Sequence, residues 1–262
     1  MAKYIRYRSG TSAARYGELD GTMVYPLDGE FAAFRRTGEP PLQLSDVKLL
    51  APATPTKIIA VGPNFRSPFR GPNALPPMEM RFWTKPASVL NDPEGVIELP
   101  PGVPAVNHEV ELAVVIGKRA KQVSPDQAAD HIFGYSCLNE VCAGDFATPG
   151  AFPSSPYFVH GKIYDGFGPL GPWIVTGLDT SNLHLETRVN GQVRQSDSTA
   201  DFIHPPAEVL AKVSEVLTLL PGDVISMGSP PGVGPFLDGD TVEVEIENIG
   251  VLRNYARARA RA

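Results

Sequence analysis

The chain has 262 residues, enough for one large domain or for a domain with a small appendage that buries most of its apolar surface. Its formal net charge of −6 excludes the broad basic surface that binds nucleic acid or an anionic membrane. The 27 prolines are about twice the average usage of ~5%, which predicts many turns and long loops.

The N-terminus and the cysteines both predict a cytoplasmic protein. Residues 1–10 lack the apolar run of a secretory signal, and no later segment approaches the 18 apolar residues that a membrane span requires. Cys137 and Cys142 are too few for a disulfide framework and do not have C-x-x-C spacing. We therefore expect a soluble protein with reduced thiols and with neither a nucleic-acid nor a membrane partner.

The first part of the chain is predicted to be a small β appendage, residues 1–55, because short strand-like pieces alternate there with Asp-Gly turns. The main body, predicted as residues 56–262, begins with a strand over 57–61. A loop rich in proline, glycine and arginine follows over 62–77. Such a loop is often a mobile cover over a site.

Residues 107–117 are typical of a strand, yet they contain two acids. Glu109 and Glu111 are two positions apart, so in a strand both point to the same face, roughly 6.5 Å apart. The apolar run that follows is typical of a strand covered on both faces, so the inner end of the pair should approach the core. Two poorly solvated carboxylates need a proton, a cationic partner or a metal ion. Projection of this end of the strand into water is an equally open alternative.

The rest of the chain is predicted to be rich in strands, with two helices. A short helix begins after Ser124 and ends near His131, and a strand over 132–139 then leads to Glu140. The dipeptide Asn190-Gly191 predicts a hairpin with a type I′ turn. Residues 205–220 have apolar side chains at helical spacing, which indicates an amphipathic helix packed on a sheet.

A series of short motifs runs through residues 57–254. They are Val61-Gly62-Pro63-Asn64-Phe65, Lys85-Pro86-Ala87-Ser88, 109–118, 134–139, 161–162, 165–176, 189–191, Leu220-Pro221-Gly222-Asp223 and 228–234. In this order they resemble the fumarylacetoacetate hydrolase family, and the set is specific although no single motif would be. The resemblance implies an α+β, mainly β fold, a β-roll of mixed sheets with flanking helices, here preceded by the small N-terminal appendage. It also implies a divalent metal site and a homodimer.

The resemblance assigns a metal site to three carboxylates. Members of the family bind Mg²⁺ or Mn²⁺ through positions that correspond here to Glu109, Glu111 and Glu140, the last of which is more often Asp. Hard oxygen ligands suit these ions, which keep open positions for substrate oxygens. Lys162 matches the lysine of the family's site, whose ammonium group can stabilise a developing enolate or oxyanion. Three carboxylates, one divalent ion and one ammonium group would sum to zero charge.

The same resemblance implies the substrate contacts. Gly228 and Ser229 match the loop that offers a backbone amide and a hydroxyl group to substrate, with Ser in place of the commoner Thr. Asn64 and Phe65, at the start of the cover loop, are also predicted to contact substrate.

The cover and the far end of the site depart from the family's pattern. Hydrolytic and decarboxylating members usually carry a His and a Glu in the cover, and the corresponding positions here are Pro68 and Gly71, which transfer no proton. The family's Arg and Gln, which bind the far end of the substrate, correspond to Gly144 and Ala147. These losses predict a substrate whose far end is larger or less charged than that of the family's small diacids.

The motifs together predict a divalent-metal-dependent hydrolase or lyase that cleaves a C–C bond in a 2-oxo acid or 1,3-dicarbonyl compound through an enolate. Another cover residue such as Glu79 would then have to replace the missing pair. An isomerase or tautomerase is the close alternative, because it needs only the metal, Lys162 and one modest base. A metal-bound hydroxide or His160 could serve as that base, since in a strand His160 would share the face of Lys162; a structural histidine is the competing interpretation of His160. A weakly catalytic, metal-containing binding protein is the third possibility.

Overall fold

The computed structural model describes residues 1–67, 79–144 and 158–259 of the chain. The N-terminal strands are β1 (Ala2–Arg8), β2 (Arg15–Asp20), β3 (Met23–Asp28), β4 (Arg35–Arg36), β5 (Leu42–Gln43) and β6 (Lys48–Leu50). The middle strands are β7 (Lys57–Gly62), β8 (Arg81–Pro86), β9 (Leu90–Asn91), β10 (Val96–Leu99), β11 (Val106–His108), β12 (Val110–Ile116), β13 (Ile132–Asn139) and β14 (Cys142–Ala143). The last strands are β15 (Gly168–Thr176), β16 (His184–Val189), β17 (Gln192–Ser198), β18 (Val224–Ser226), β19 (Gly234–Phe236), β20 (Thr241–Ile246) and β21 (Gly250–Ala258).

Short helices flank the strands. The α-helices are α1 (Pro125–Ala128), α2 (Phe158–Lys162) and α3 (Pro206–Val216). Single turns of 3₁₀ helix are Leu44–Asp46, Ala87–Val89, Ala129–His131 and Thr199–Asp201. Across the described ranges, none of these helices has the length and apolar character needed to cross a membrane.

The largest sheet of the described ranges has the order β4-β3-β2-β1-β15-β13-β12-β18-β7-β8 along its main path. Its central strand β12 pairs antiparallel with β13 and β18, and β18 pairs parallel with β7, so the sheet is mixed. Every residue of β12 is buried, as expected for a strand covered on both faces. Glu111 belongs to this strand, so its side chain is shielded from water.

The N-terminal strands continue this sheet. β1 pairs antiparallel with β15, with Lys3 opposite Val175. The rings of Tyr4, Phe31 and Phe34 also pack on Phe133 of β13, with centroids 5.0, 5.3 and 6.0 Å away. Residues 1–55 and the main body therefore share both a sheet and an aromatic cluster.

Two smaller sheets complete the architecture of the described ranges. One has the order β10-β21-β20-β16-β17, and the other has the order β14-β11-β19. The main apolar core lies between the large sheet, α3 and the first of these sheets, and it contains Leu112, Val209, Val213, Val244 and Ile246. The predicted α+β, mainly β fold of mixed sheets with flanking helices is confirmed.

Several local predictions are also confirmed. Asn190 and Gly191 have φ values of 50° and 76°, the left-handed pair that a type I′ turn requires, and they join β16 to β17. The short helix after Ser124 is present as α1 and the 3₁₀ turn that follows it. The long amphipathic helix is α3, which ends at Val216, earlier than the pattern predicts.

Candidate active site

The chain passes from one sheet to another at Glu109. β11 belongs to the small sheet and β12 to the large one, so the predicted continuous strand over 107–117 is wrong. The Glu109 N–H donates to Asn139 Oδ1 (2.9 Å), and the Glu140 N–H donates to the Glu109 carbonyl (2.9 Å). These bonds satisfy the backbone at the break and bring Glu109 beside Glu140.

The three predicted metal ligands converge. Glu109, Glu111 and Glu140 each offer one carboxylate oxygen, and these oxygens lie within 4.8 Å of one another. The residues are 9%, 2% and 0% exposed, so the alternative in which the acids project into water is wrong. Three hard oxygen donors at this spacing suit Mg²⁺ or Mn²⁺. The donor set therefore fits the divalent ion that the motifs predict.

Lys162 lies in the middle of this acidic cluster. Its Nζ is 2.5 Å from Glu109 Oε1 and also donates to Glu140 Oε2. Burial alone would lower the pKa of Lys162, but the carboxylates of Glu109 and Glu140 outweigh it and hold the pKa well above its usual range. The side chain is thus an ammonium group, held by two of the candidate ligands.

Lys85 is a second buried lysine, and sequence reasoning missed its role. Its Nζ donates to Glu140 Oε1 (3.1 Å) and to the Phe167 carbonyl (2.9 Å). Three carboxylates and two ammonium groups leave a formal charge of −1, so a divalent ion would bring the site to +1 instead of the predicted zero. The sequence contained one signal, because Lys85 belongs to the motif Lys85-Pro86-Ala87-Ser88. The burial of Lys85 between two exposed neighbours in β8, Thr84 and Pro86, can be recognised only in the fold.

Glu111 is held by the strand and loop that follow α3. Its Oε2 accepts hydrogen bonds from Ser226 Oγ (2.5 Å) and from the Gly228 N–H (2.8 Å). Gly228 has φ of +88°, and a Cβ there would lie 3.2 Å from the Val61 carbonyl, so the position requires glycine. The Gly228 amide, which the resemblance assigns to the substrate, here donates to Glu111; a contact between Gly228 and the substrate stays a prediction.

The pKa of Glu111 follows from its surroundings. Burial, followed by the nearby carboxylates of Glu140 and Glu109, raises the pKa of Glu111 well above its usual range. Burial also raises the pKa of Glu109, although Lys162 opposes the shift. Because Lys162 bonds to Glu109 and Glu140, Glu111 is the member of the cluster best suited to hold a proton when no metal is bound.

Asn64 and Phe65 have partners within the protein. The Asn64 side chain donates to the His204 carbonyl (3.1 Å) and the Met227 carbonyl (2.9 Å), and it accepts from the His204 N–H (2.9 Å). The Phe65 ring is buried against Phe202, with centroids 4.9 Å apart. These contacts fix the start of the cover loop next to the 228–234 loop, and the contacts predicted between these residues and the substrate stay predictions.

His160 does not share a face with Lys162. Both residues lie in α2, a helix where a strand was assumed, and residues two apart in a helix are about 200° apart around its axis. His160 is exposed, whereas Lys162 is fully buried. The predicted alignment is therefore wrong, because only the two-residue period of a strand would have produced it.

The remaining predicted positions are divided between described and undescribed parts of the chain. Pro68, Gly71 and Ala147 lie outside the described residues. Gly144 is described, and its carbonyl accepts a hydrogen bond from Asn107 Nδ2 (2.9 Å). Glu79 is exposed. Ser229, a predicted substrate contact, is partly exposed, and its Oγ accepts a hydrogen bond from Gln195 Nε2 (2.8 Å).

Comparison with known proteins places these features in a family. The model for the C-terminal part of fumarylacetoacetate (FAA) hydrolase matches residues 57–257, and the Rv2993c-like N-terminal model matches residues 2–52. Oxaloacetate tautomerase FAHD2A, mitochondrial, from Bos taurus is 40% identical over 226 residues, which cover 82% of this chain and 71% of that protein.

Solved structures are also similar to this chain over nearly its whole length. The crystal structure of 2-hydroxyhepta-2,4-diene-1,7-dioate isomerase from Mycobacterium marinum has a TM-score of 0.88 and 34% identity, and the match covers 100% of both chains. Maleylpyruvate hydrolase from Sphingobium sp. SYK-6, solved with manganese(II) and pyruvate, has a TM-score of 0.78 and 29% identity over 98% of this chain and 100% of that one. As the motifs predicted, the chain belongs to the fumarylacetoacetate hydrolase family.

Proposed function

We propose that this protein is a divalent-metal-dependent enzyme that interconverts the keto and enol forms of a small 2-oxo acid. The observation that carries the proposal is the buried cluster of Glu109, Glu111 and Glu140, in which Lys162 bonds to two of the carboxylates. The relatives named as an oxaloacetate tautomerase and a heptadienedioate isomerase support this reaction class.

The three glutamates supply the site for the ion. Mg²⁺ or Mn²⁺ bound there would polarise the oxygens of a 2-oxo acid and so lower the cost of removing a proton from the neighbouring carbon. Ser226 and the Gly228 amide orient Glu111 for this role, and Lys85 does the same for Glu140. Ligands held in this way need little rearrangement when an ion binds.

Lys162 supplies a hydrogen-bond donor with a full positive charge. An ammonium group in a poorly solvated site stabilises an oxygen that gains negative charge more strongly than it would in water. With a divalent ion, the formal charge of the cluster is +1, which matches the single negative charge of a 2-oxo acid's carboxylate. The charge balance therefore favours an anionic substrate.

Cleavage of a C–C bond, as a hydrolase or lyase, is the second candidate. The similarity to maleylpyruvate hydrolase favours it. Hydrolysis requires a group that deprotonates a water molecule, however, and the family's positions for that group are Pro68 and Gly71. His160 is exposed and lies about 200° around the axis of α2 from the buried Lys162, so the strand alignment that favoured it as a base is lost. We place tautomerisation first because it needs only one modest base and no activated water molecule, and a weakly catalytic binding protein last.

The test is an ultraviolet assay of the interconversion of the enol and keto forms of oxaloacetate and of phenylpyruvate, a 2-oxo acid with a larger and uncharged far end, with and without Mn²⁺. We expect Mn²⁺-dependent turnover that falls by roughly 100-fold or more in Lys162→Met, the size of loss seen when a charge-stabilising donor is removed. Lys57→Met, which removes a lysine bonded to Asp223, is the control and should retain turnover. Turnover that is independent of Mn²⁺ or of Lys162 would contradict the proposal. If the protein releases pyruvate from acylpyruvates faster than it interconverts the keto and enol forms, the hydrolase becomes the first candidate.

A further inference from the structure

Gln195 connects residues 109–111, the metal-binding segment, to the 228–234 loop that carries Ser229. This residue of β17 is 1% exposed, and nothing in its sequence pattern indicates a role. Its Oε1 accepts from the Val110 N–H (3.1 Å) and from Thr187 Oγ1 (2.9 Å). Its Nε2 donates to Ser229 Oγ (2.8 Å) and to the Pro230 carbonyl (2.8 Å). Val110 lies between Glu109 and Glu111, so one side chain bridges the two halves of the site.

The orientation of the Gln195 amide is fixed by these partners. The Val110 N–H can only donate and the Pro230 carbonyl can only accept. A flipped amide would place its NH₂ group against the Val110 N–H and its oxygen against the Pro230 carbonyl, so neither hydrogen bond would form. His108 Nδ1, 3.0 Å from Oε1, must then donate as well. The network therefore has one consistent set of donors and acceptors.

This orientation decides what the Ser229 hydroxyl can do. A hydroxyl group has one proton to donate and two lone pairs that accept. Because Gln195 donates to Ser229 Oγ, the proton of Ser229 is directed elsewhere, and the residue is partly exposed. The preceding residue, Gly228, donates its amide to Glu111, so Ser229 lies next to the acidic cluster.

We propose that Gln195 is a positioning residue that sets Ser229 as a hydrogen-bond donor to the substrate and ties the 228–234 loop to the metal-binding segment. The inference rests on the proposed function in so far as Ser229 contacts the substrate. Glutamine suits the position because it offers an acceptor and donors on one short planar group. A glutamate here would face the donors Val110 N–H, Thr187 Oγ1 and His108 Nδ1, which favour its ionised form. It would then offer acceptors alone, so the Ser229 hydroxyl would turn to donate to it.

The kinetic test is a double-mutant cycle of Gln195→Glu and Ser229→Ala in the Mn²⁺-loaded protein. We expect each single variant to lose about 10- to 100-fold in kcat/KM, the loss expected for a hydrogen bond to a charged group. The kcat/KM of the double variant should lie within about threefold of that of the less active single variant, because Gln195 acts through Ser229. Thr187→Val, which removes a Gln195 contact outside the loop, is the matched control and should stay near the parent value.

Two results of the cycle would overturn the proposal. A double variant whose loss is the product of the two single losses would show that Gln195 and Ser229 act independently. Parent activity in Gln195→Glu would show that the direction of the Ser229 hydrogen bond has no effect. Mn²⁺ affinity, measured by calorimetry for each variant, shows that the metal site is intact and that the variant is folded.

A second measurement tests the positioning without any substrate. Hydrogen exchange of the Ser229, Gly232, Val233 and Gly234 amides is compared in the parent, Gln195→Met and Thr187→Val. We expect exchange at least tenfold faster in Gln195→Met alone, because the methionine holds neither Ser229 nor Pro230. Equal exchange in the parent and Gln195→Met would overturn the positioning role. Faster exchange together with a parent that turns over no 2-oxo acid would support the positioning role and contradict the proposed function.

Discussion

The ammonium group of Lys85 lies 3.1 Å from Glu140 Oε1, on a carboxylate whose other oxygen is bonded by Lys162. Glu140 is therefore held between two buried cations, and Lys85, Glu140 and Lys162 are each 0–1% exposed. A buried carboxylate is tolerated when it is paired, and removal of one partner of such a pair is strongly destabilising. The position of Glu140 thus depends on Lys85 even though Lys85 is no candidate ligand.

Replacement of Lys85 should make the metal-free protein less stable. We predict that Lys85→Met lowers the free energy of unfolding by about 3–5 kcal/mol, because it leaves buried negative charge without compensation. Addition of Mn²⁺ should stabilise this variant more than the parent, since the ion replaces the lost positive charge. Urea denaturation with and without Mn²⁺ measures both effects.

Lys57→Met is the matched control for this prediction. Lys57 Nζ lies 2.5 Å from Oδ2 of the fully buried Asp223, in an ion pair that joins β7 to the segment before β18. Its loss should also destabilise the protein, yet Mn²⁺ should give this variant no extra stabilisation. Equal stabilisation of the two variants by Mn²⁺ would disprove the role of Lys85.

Metal binding should release a proton. Burial and the neighbouring carboxylates of Glu140 and Glu109 raise the pKa of Glu111 well above its usual range, so the metal-free cluster retains a proton at a pH where an exposed glutamate has lost it. The ion and the proton compete for the same carboxylate, so Mn²⁺ affinity should fall as the pH is lowered through that raised pKa.

Calorimetry in two buffers with different ionisation enthalpies measures this release. We expect binding enthalpies that differ between the buffers, and in Glu111→Gln we expect the difference to shrink and the affinity to drop at least tenfold, which corresponds to about 1.4 kcal/mol. Identical enthalpies in the two buffers would contradict the raised pKa of Glu111.

Ser226 should affect metal affinity although it is not a ligand. Its Oγ lies 2.5 Å from Glu111 Oε2 and orients that carboxylate. We predict that Ser226→Ala weakens Mn²⁺ binding by about 10- to 100-fold, the usual cost of losing a hydrogen bond that orients a metal ligand. Ser136→Ala is the control, because Ser136 is also buried but donates to the Trp173 carbonyl (2.9 Å) away from the cluster. Equal affinities in the two variants would contradict the prediction.

The acidic cluster was predictable from the sequence because its signals are local. Two acids at a spacing of two, followed by an apolar run, indicate carboxylates on one side of a buried strand, and the structure places Glu109 and Glu111 together. The motifs added Glu140 and Lys162, and all four side chains lie together in the fold. The mainly β fold followed from the same series of motifs.

The parts that were missed depend on contacts between distant segments. The break at Glu109 is held by Asn139, thirty positions away, so no pattern within 107–117 reveals it. The roles of Lys85 and Gln195 likewise depend on partners from other strands. The predicted alignment of His160 with Lys162 failed for a local reason, because a five-residue segment was assigned the period of a strand when it forms a helix.

The central claim is that Glu109, Glu111 and Glu140 bind a divalent ion beside Lys162. A crystal structure with Mn²⁺ and oxalate, an unreactive mimic of an enolised 2-oxo acid, tests it most directly through the anomalous signal of manganese. We predict one ion bonded to all three carboxylates, with oxalate completing its coordination and Lys162 Nζ within hydrogen-bond distance of an oxalate oxygen. Manganese bound elsewhere, or bound there without oxalate and Lys162 in contact, would contradict the account.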